Sequence, residues 1–89
     1  MIERVKEVQK ELAEYSVETT LEYPEFLHGD RDDFTFAIGY ANGGIGIDCY
    51  DGPTADNYIG GANAPFAWQD STAKQDAAFV LGVLWNLAP

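Results

Sequence analysis

Histidine and cysteine, the side chains that most often supply a general base, a nucleophile or a soft metal ligand, occur once each in this 89-residue chain, as His28 and Cys49. So thin a supply assembles no Ser/His/Asp or Cys/His group, and the expectation is a protein that is not an enzyme. One cysteine makes no internal disulfide, and residues 1–15, MIERVKEVQKELAEY, lack the apolar run of a secretory leader, so the expected compartment is a reducing cytoplasm. No apolar stretch approaches the roughly 20 residues of a membrane helix. Positive charge is also scarce, with five Lys and Arg against fifteen Asp and Glu and a net charge of −10. That balance disfavours direct contact with nucleic acid or anionic lipid.

What is present is a hydrophobic content of 46% with 13% aromatics, enough for the core of one domain spanning residues 1–89. The charge is unevenly spread. Residues 1–13 balance to zero, residues 57–89 to −1, and residues 14–56 carry the remaining −9, with Arg31 as their one cation. Such an asymmetry is a stronger statement about surface than the total is.

Ile2, Val5, Val8 and Leu12 recur at helical spacing, which predicts an amphipathic helix over 2–13. From Tyr15 the period changes to two. Tyr15, Val17, Thr19, Leu21 and Tyr23 alternate with Glu14, Ser16, Glu18, Thr20 and Glu22, so 14–23 reads as a strand with one acidic face, which Pro24 either ends or marks as an edge. Residues 24–32 read as a charged connection, with His28 in a loop. A second alternating run over 33–41 leads into Asn42-Gly43, a strong type I′ hairpin signal, and a third strand over 44–51. If the turn has two residues, Tyr40 faces Ile45, Ile38 faces Ile47 and Phe36 faces Cys49, while Gly39/Gly46, Ala37/Asp48 and Thr35/Tyr50 pair on the other face. Cys49 is thereby a buried, inert thiol.

Residues 51–69 read as a long loop with a short extended piece near Asn57 to Ile59, and Gly60-Gly61 as a turn. A last helix over 71–87 opens with Thr72 and Gln75 at capping-box spacing and carries an apolar stripe of Ala73, Ala77, Val80, Leu81, Leu84 and Ala88. The expected fold is α+β: a helix, a three-stranded antiparallel meander and a helix, both helices on one sheet face.

The Asp30-Arg31-Asp32-Asp33 run invites a metal reading. An EF-hand loop starting at Asp30 would need glycine and glutamate where the chain has Thr35 and Ala41, so no metal and no cofactor is expected. Most aromatics belong to the core, but Tyr50 by parity and Tyr58 by position are candidate interface anchors. The acidic segment offers Glu18, Glu22, Asp30, Asp32, Asp33, Asp48 and Asp51 as partners for arginine and lysine.

In size, acidity and helix-sheet-helix layout the chain resembles the small phage-encoded anti-CRISPR proteins, several of which mimic DNA in charge. That resemblance implies an inhibitor, acting in the host cytoplasm, that occupies the DNA-reading surface of an RNA-guided nuclease. Immunity proteins that neutralise basic nuclease toxins are similar in character. The remaining alternatives are a small metal-binding domain and a homodimer formed by edge pairing of the first or third strand.

Overall fold

The computed structural model describes residues 1–89 except 23–24, 32–33, 53–56 and 88–89. Helix α1 (Ile2–Glu14) is followed by strands β1 (Thr20–Glu22), β2 (Phe26–Arg31), β3 (Phe34–Ala41), β4 (Gly44–Asp51) and β5 (Asn57–Asn63). A 3-10 turn (Trp68–Asp70) and helix α2 (Ala73–Leu87) complete the order. The strands form one antiparallel meander in the order β1-β2-β3-β4-β5. The sheet thus has five strands rather than the expected three.

Two of the corrections come from one motif. The α1 helix runs to Glu14, and the next residues close it: Ser16 N–H donates to Ala13 O and Val17 N–H to Leu12 O, each at 3.0 Å. This is a Schellman ending, with Ser16 in the left-handed region at φ 63° and Val17 buried beside Leu12. The alternation from Tyr15 therefore belongs mostly to a helix cap and a connection, and among the described residues of 14–23 only Thr20–Glu22 pairs as strand, Tyr23 and Pro24 lying outside them. Gln9 Nε2 holds that connection by donating to Thr19 O at 3.0 Å.

The expected connection over 24–32 is instead β2, paired with β3 from Leu27↔Ile38 to Arg31↔Phe34. Its pattern is muted because Gly29 occupies a core-side position already filled by the Phe36 ring, 2.6 Å from where a Cβ would sit. The expected loop over 51–69 contains β5, and Gly60-Gly61 lies within that strand rather than in a turn. The β3–β4 register agrees pair for pair with the sequence reading, from Thr35↔Tyr50 to Ala41↔Gly44. Asn42 and Gly43 both take positive φ, 55° and 84°, as a type I′ turn demands.

Leu27, Phe36, Ile38, Ile45, Ile47 and Cys49 form the buried sheet face, packed against Val5, Val8 and Leu12 of α1 and Ala77, Val80, Leu81 and Leu84 of α2 in one cluster. Burial raises the Cys49 thiol above its ordinary value, and Asp48 adds to the effect. The stripe residue Ala88 lies outside the described residues. Helix α2 starts at Ala73, two residues later than expected. It is capped as the spacing predicts: Gln75 N–H donates to Thr72 Oγ1 at 3.2 Å and Thr72 N–H to Gln75 Oε1 at 2.9 Å.

One charge is wholly enclosed. Asp76, fully buried in the α2 stripe, accepts from Arg4 NH1 at 3.0 Å, from Ser71 Oγ at 2.7 Å and from the Tyr40 hydroxyl. Arg4 also donates to the carbonyls of Trp68 and Ser71, each at 3.1 Å, and lies over the Trp68 ring. Burial and the Asp76 carboxylate push the Tyr40 phenol up. Among the described residues, no helix is long and apolar enough to cross a membrane.

Two stability predictions follow from these contacts. Arg4→Met strands the Asp76 carboxylate and should lower the unfolding free energy by about 3–5 kcal/mol in urea titrations, while adding Asp76→Leu to it should recover most of the loss. Ser16→Gly relieves the left-handed position and should raise stability by about 0.5–1 kcal/mol in the same assay.

Candidate functional site

Because both helices lie on one side, no helix or further strand covers the other side of the sheet among the described residues. Strand alternation decides what it shows. With Leu21, Leu27, Ile38 and Ile47 turned to the helices, the neighbouring positions Glu22, Phe26, His28, Asp30, Ala37 and Asp48 point outward. The middle of this face is shallow, since Ala37, Gly39, Gly46 and Gly61 sit at its central rows.

Aromatic side chains rise at two places. Phe26 is 47% exposed and lies across Gly39, where an added Cβ would stand 2.7 Å from its ring. At the other end Tyr50 and Tyr58 meet edge to face, ring centroids 5.6 Å apart. The Tyr58 hydroxyl and Asp48 Oδ1 both reach over Gly61, which has no room for a side chain against Ile47 O. Desolvation against the sheet and the Asp48 carboxylate beside it hold the Tyr58 phenol above its ordinary value. On the β1–β2 side, Glu22 Oε1 lies 3.5 Å from His28 Nδ1.

The expected partner-binding residues separate into groups. Glu22, Asp30, Asp48, Tyr50 and Tyr58 share the open face. Glu18 stands at its rim, in the connection after α1, beside Asp30 in a shallow cleft that also includes Thr20 and His28. Asp51 has the parity of Cys49, so its register position belongs to the helix side of the sheet, away from the others. Asp32 and Asp33 lie outside the described residues. Glu14, expected on the same strand face as Glu18 and Glu22, ends helix α1 instead.

Phe26 and His28 are functional candidates that the sequence reading missed, because it placed them in a connection. The signal was present as outward Phe26, His28 and Asp30 alternating with inward Leu27, Gly29 and Arg31, though a glycine and an arginine on the inward side obscured it. Among the described residues, no group of three or more His, Cys, Asp or Glu could hold a metal ion.

Lysine and arginine are absent from this face among the described residues. Lys6 and Lys10 belong to α1 and Lys74 to α2, Arg4 is committed to Asp76, and Arg31 lies on the helix side beside Val17 and Phe36. By strand spacing and rise, Asp30 and Asp48 are about 12 Å apart, beyond the Debye length of about 8 Å at physiological salt. The face therefore tolerates its own charge in salt and becomes more strained as salt is removed.

No family model, curated protein or solved structure matches this chain. The face is therefore read on its own chemistry. Removing the neighbouring carboxylate with Asp48→Asn favours the phenolate, so the Tyr58 transition should move back down toward the ordinary tyrosine range. Ultraviolet difference titration, with Tyr58→Phe identifying the transition, measures it.

Proposed function

We propose that the chain is an acidic binding module whose open sheet face occupies the basic, nucleic-acid-binding surface of a partner protein, as an inhibitor does. The observation that carries the reading is the segregation of charge. All five Lys and Arg lie on the helices or on the helix side of the sheet, while Glu22, Asp30 and Asp48 stand on a shallow open face flanked by Phe26, Tyr50 and Tyr58.

Arginine and lysine that grip phosphate find carboxylates equally acceptable, with guanidinium groups able to donate two parallel hydrogen bonds to one carboxylate. The small central residues let long basic side chains lie flat on the sheet. The aromatics at either end supply the desolvated area that charge pairs alone do not. An RNA-guided nuclease, whose channel and duplex-reading groups are rich in such cations, has the required chemistry. Steering by the acidic field would speed encounter at low salt.

The test is capture from cells with the intact chain, followed by competition with duplex DNA or RNA for the recovered protein. The expected result is a basic nucleic-acid-binding protein, released by nucleic acid and bound more weakly as salt rises. Asp30→Lys with Asp48→Lys should weaken its binding at least about tenfold more than Glu3→Lys with Glu7→Lys on α1, because only the former pair lies in the contact. Equal losses from both pairs would remove the open face from consideration.

A further inference from the structure

The side of the molecule at β5 and α2 has the opposite character from the open face. Residues 57–89 include Asp70, Lys74 and Asp76 as their only charged side chains, and Asp76 is sealed against Arg4. Helix α2 has none between Ala77 and Leu87, yet its outer surface leaves Ala78 exposed, Phe79 half-buried and Trp85 56% exposed. A helix that is apolar around most of its circumference is ordinarily covered on more than one side.

Helix α2 packs over β4, and beyond β4 lies the sheet edge β5, whose outer side pairs with no strand among the described residues. Strand β1, at the opposite edge, has three residues and carries Glu22, whereas β5 has seven, Asn57–Asn63, with no charge and no proline to block another strand. The third strand of the sequence reading, now β4, is flanked on both sides by β3 and β5 and has no free edge.

The hydrogen-bond phase of β5 defines what its edge offers. Ala64 N–H donates to Ile45 O at 2.8 Å, so in antiparallel alternation Ala62 and Gly60 also bond toward β4, while Gly61 and Asn63 turn their backbone groups outward. The usable ladder has natural ends. Ile59 is the extra residue of a bulge, between the pairs Cys49↔Gly60 and Tyr50↔Tyr58, and Pro65 has no N–H to give.

We infer that β5 pairs antiparallel with β5 of a second copy of this chain about a two-fold axis at Ala62, joining the two sheets into one and bringing the two α2 helices together on the same side. In that register Gly61 and Asn63 exchange backbone hydrogen bonds with Asn63 and Gly61 of the partner. The bulge at Ile59 falls opposite Pro65, so both interruptions coincide at each end of the ladder. This match of the strand with itself favours a second copy over a foreign strand.

Charge favours the same arrangement. Two chains of net charge −10 can meet at low electrostatic cost where their surfaces are neutral. Across the joined sheet, Asp48 and its counterpart are separated by three strand spacings and two residues of rise, about 16 Å, and are screened. On the helix side the small Ala62 pair leaves room for Trp85 of both copies to approach, adding the apolar area that strand pairing alone does not supply, while Phe79, about 120° away around α2, stays against Phe66.

The test uses the full chain in sedimentation analysis, with engineered cysteines to read the register. The expected species has twice the 9.8 kDa chain mass, and Trp85→Lys should weaken its association about tenfold or more without unfolding the chain by circular dichroism. Ala62 and its counterpart form a non-hydrogen-bonded pair with Cα atoms about 4.5 Å apart, within disulfide range. Ala62→Cys should therefore oxidise to a covalent dimer. Asn57→Cys, ten residues out of register and about 33 Å from its counterpart, should not. Native Cys49 is fully buried and stays out of the reaction. A monomer at all concentrations up to about 1 mM, or a dimer in which Ala62→Cys crosslinks no faster than Asn57→Cys, would overturn the inference.

Discussion

The carboxylate of Asp76 is the point on which the arrangement of elements depends. It lies inside the apolar stripe of α2 and is met by Arg4 from α1, Tyr40 from β3 and Ser71 from the segment before α2. Ion pairs of this kind contribute little net stability over apolar packing, because both groups lose their hydration. Their effect is on which packing wins. Any placement of α2 that separates Asp76 from Arg4 leaves a bare charge in the core, at a cost of several kcal/mol. Both helices are thereby held on one side of the sheet, and the other side is left open as a consequence.

The open face follows from that constraint. With Arg4 and Arg31 on the helix side and the lysines on the helices, the outward positions of β1, β2 and β4 keep Glu22, Asp30 and Asp48 without an ion pair to lysine or arginine among the described residues. Gly39, Gly46 and Gly61 are fixed there by contact. A side chain at each would collide with the Phe26 ring, the Asn63 amide and the Ile47 carbonyl respectively. The shallowness of the face is thus built by the same packing that positions its aromatic ends.

How much of this was legible in the sequence depended on whether side chains of full size marked each face. The β3–β4 hairpin was readable to the residue because Phe36, Ile38, Ile45 and Ile47 fill their inward positions and Asn42-Gly43 suits only a narrow set of turns. Strands β2 and β5 were not. Their inward positions include Gly29, Gly60 and Ala62, which have too little apolar surface to show a period, and at Gly29 the space is filled from β3 by the Phe36 ring. The strand expected from Tyr15 failed for the opposite reason. Alternation over 15–19 was present, but Ser16 was spent on ending the helix in a left-handed conformation, which hydrophobicity does not register. Of the candidate site, parity alone placed Asp48 and Tyr50 correctly, while Phe26 and His28 needed β2.

Charge is what links the two surfaces of the molecule. A small domain that places nine units of net negative charge within residues 14–56 carries a self-repulsion that grows as salt falls, and it can ill afford to enclose any of it. Leaving one sheet face open to solvent lets that charge be hydrated and screened. The near-neutral stretch from Asn57 onward is then a region where apolar contact carries little electrostatic penalty, and it holds both the outer edge of β5 and the uncharged flank of α2. Pairing there would align two acidic faces on one continuous sheet without bringing their carboxylates within a Debye length of each other. A long cationic groove would then meet a surface twice as wide, and the gain in binding would come from tethering the second contact to the first rather than from any new chemistry.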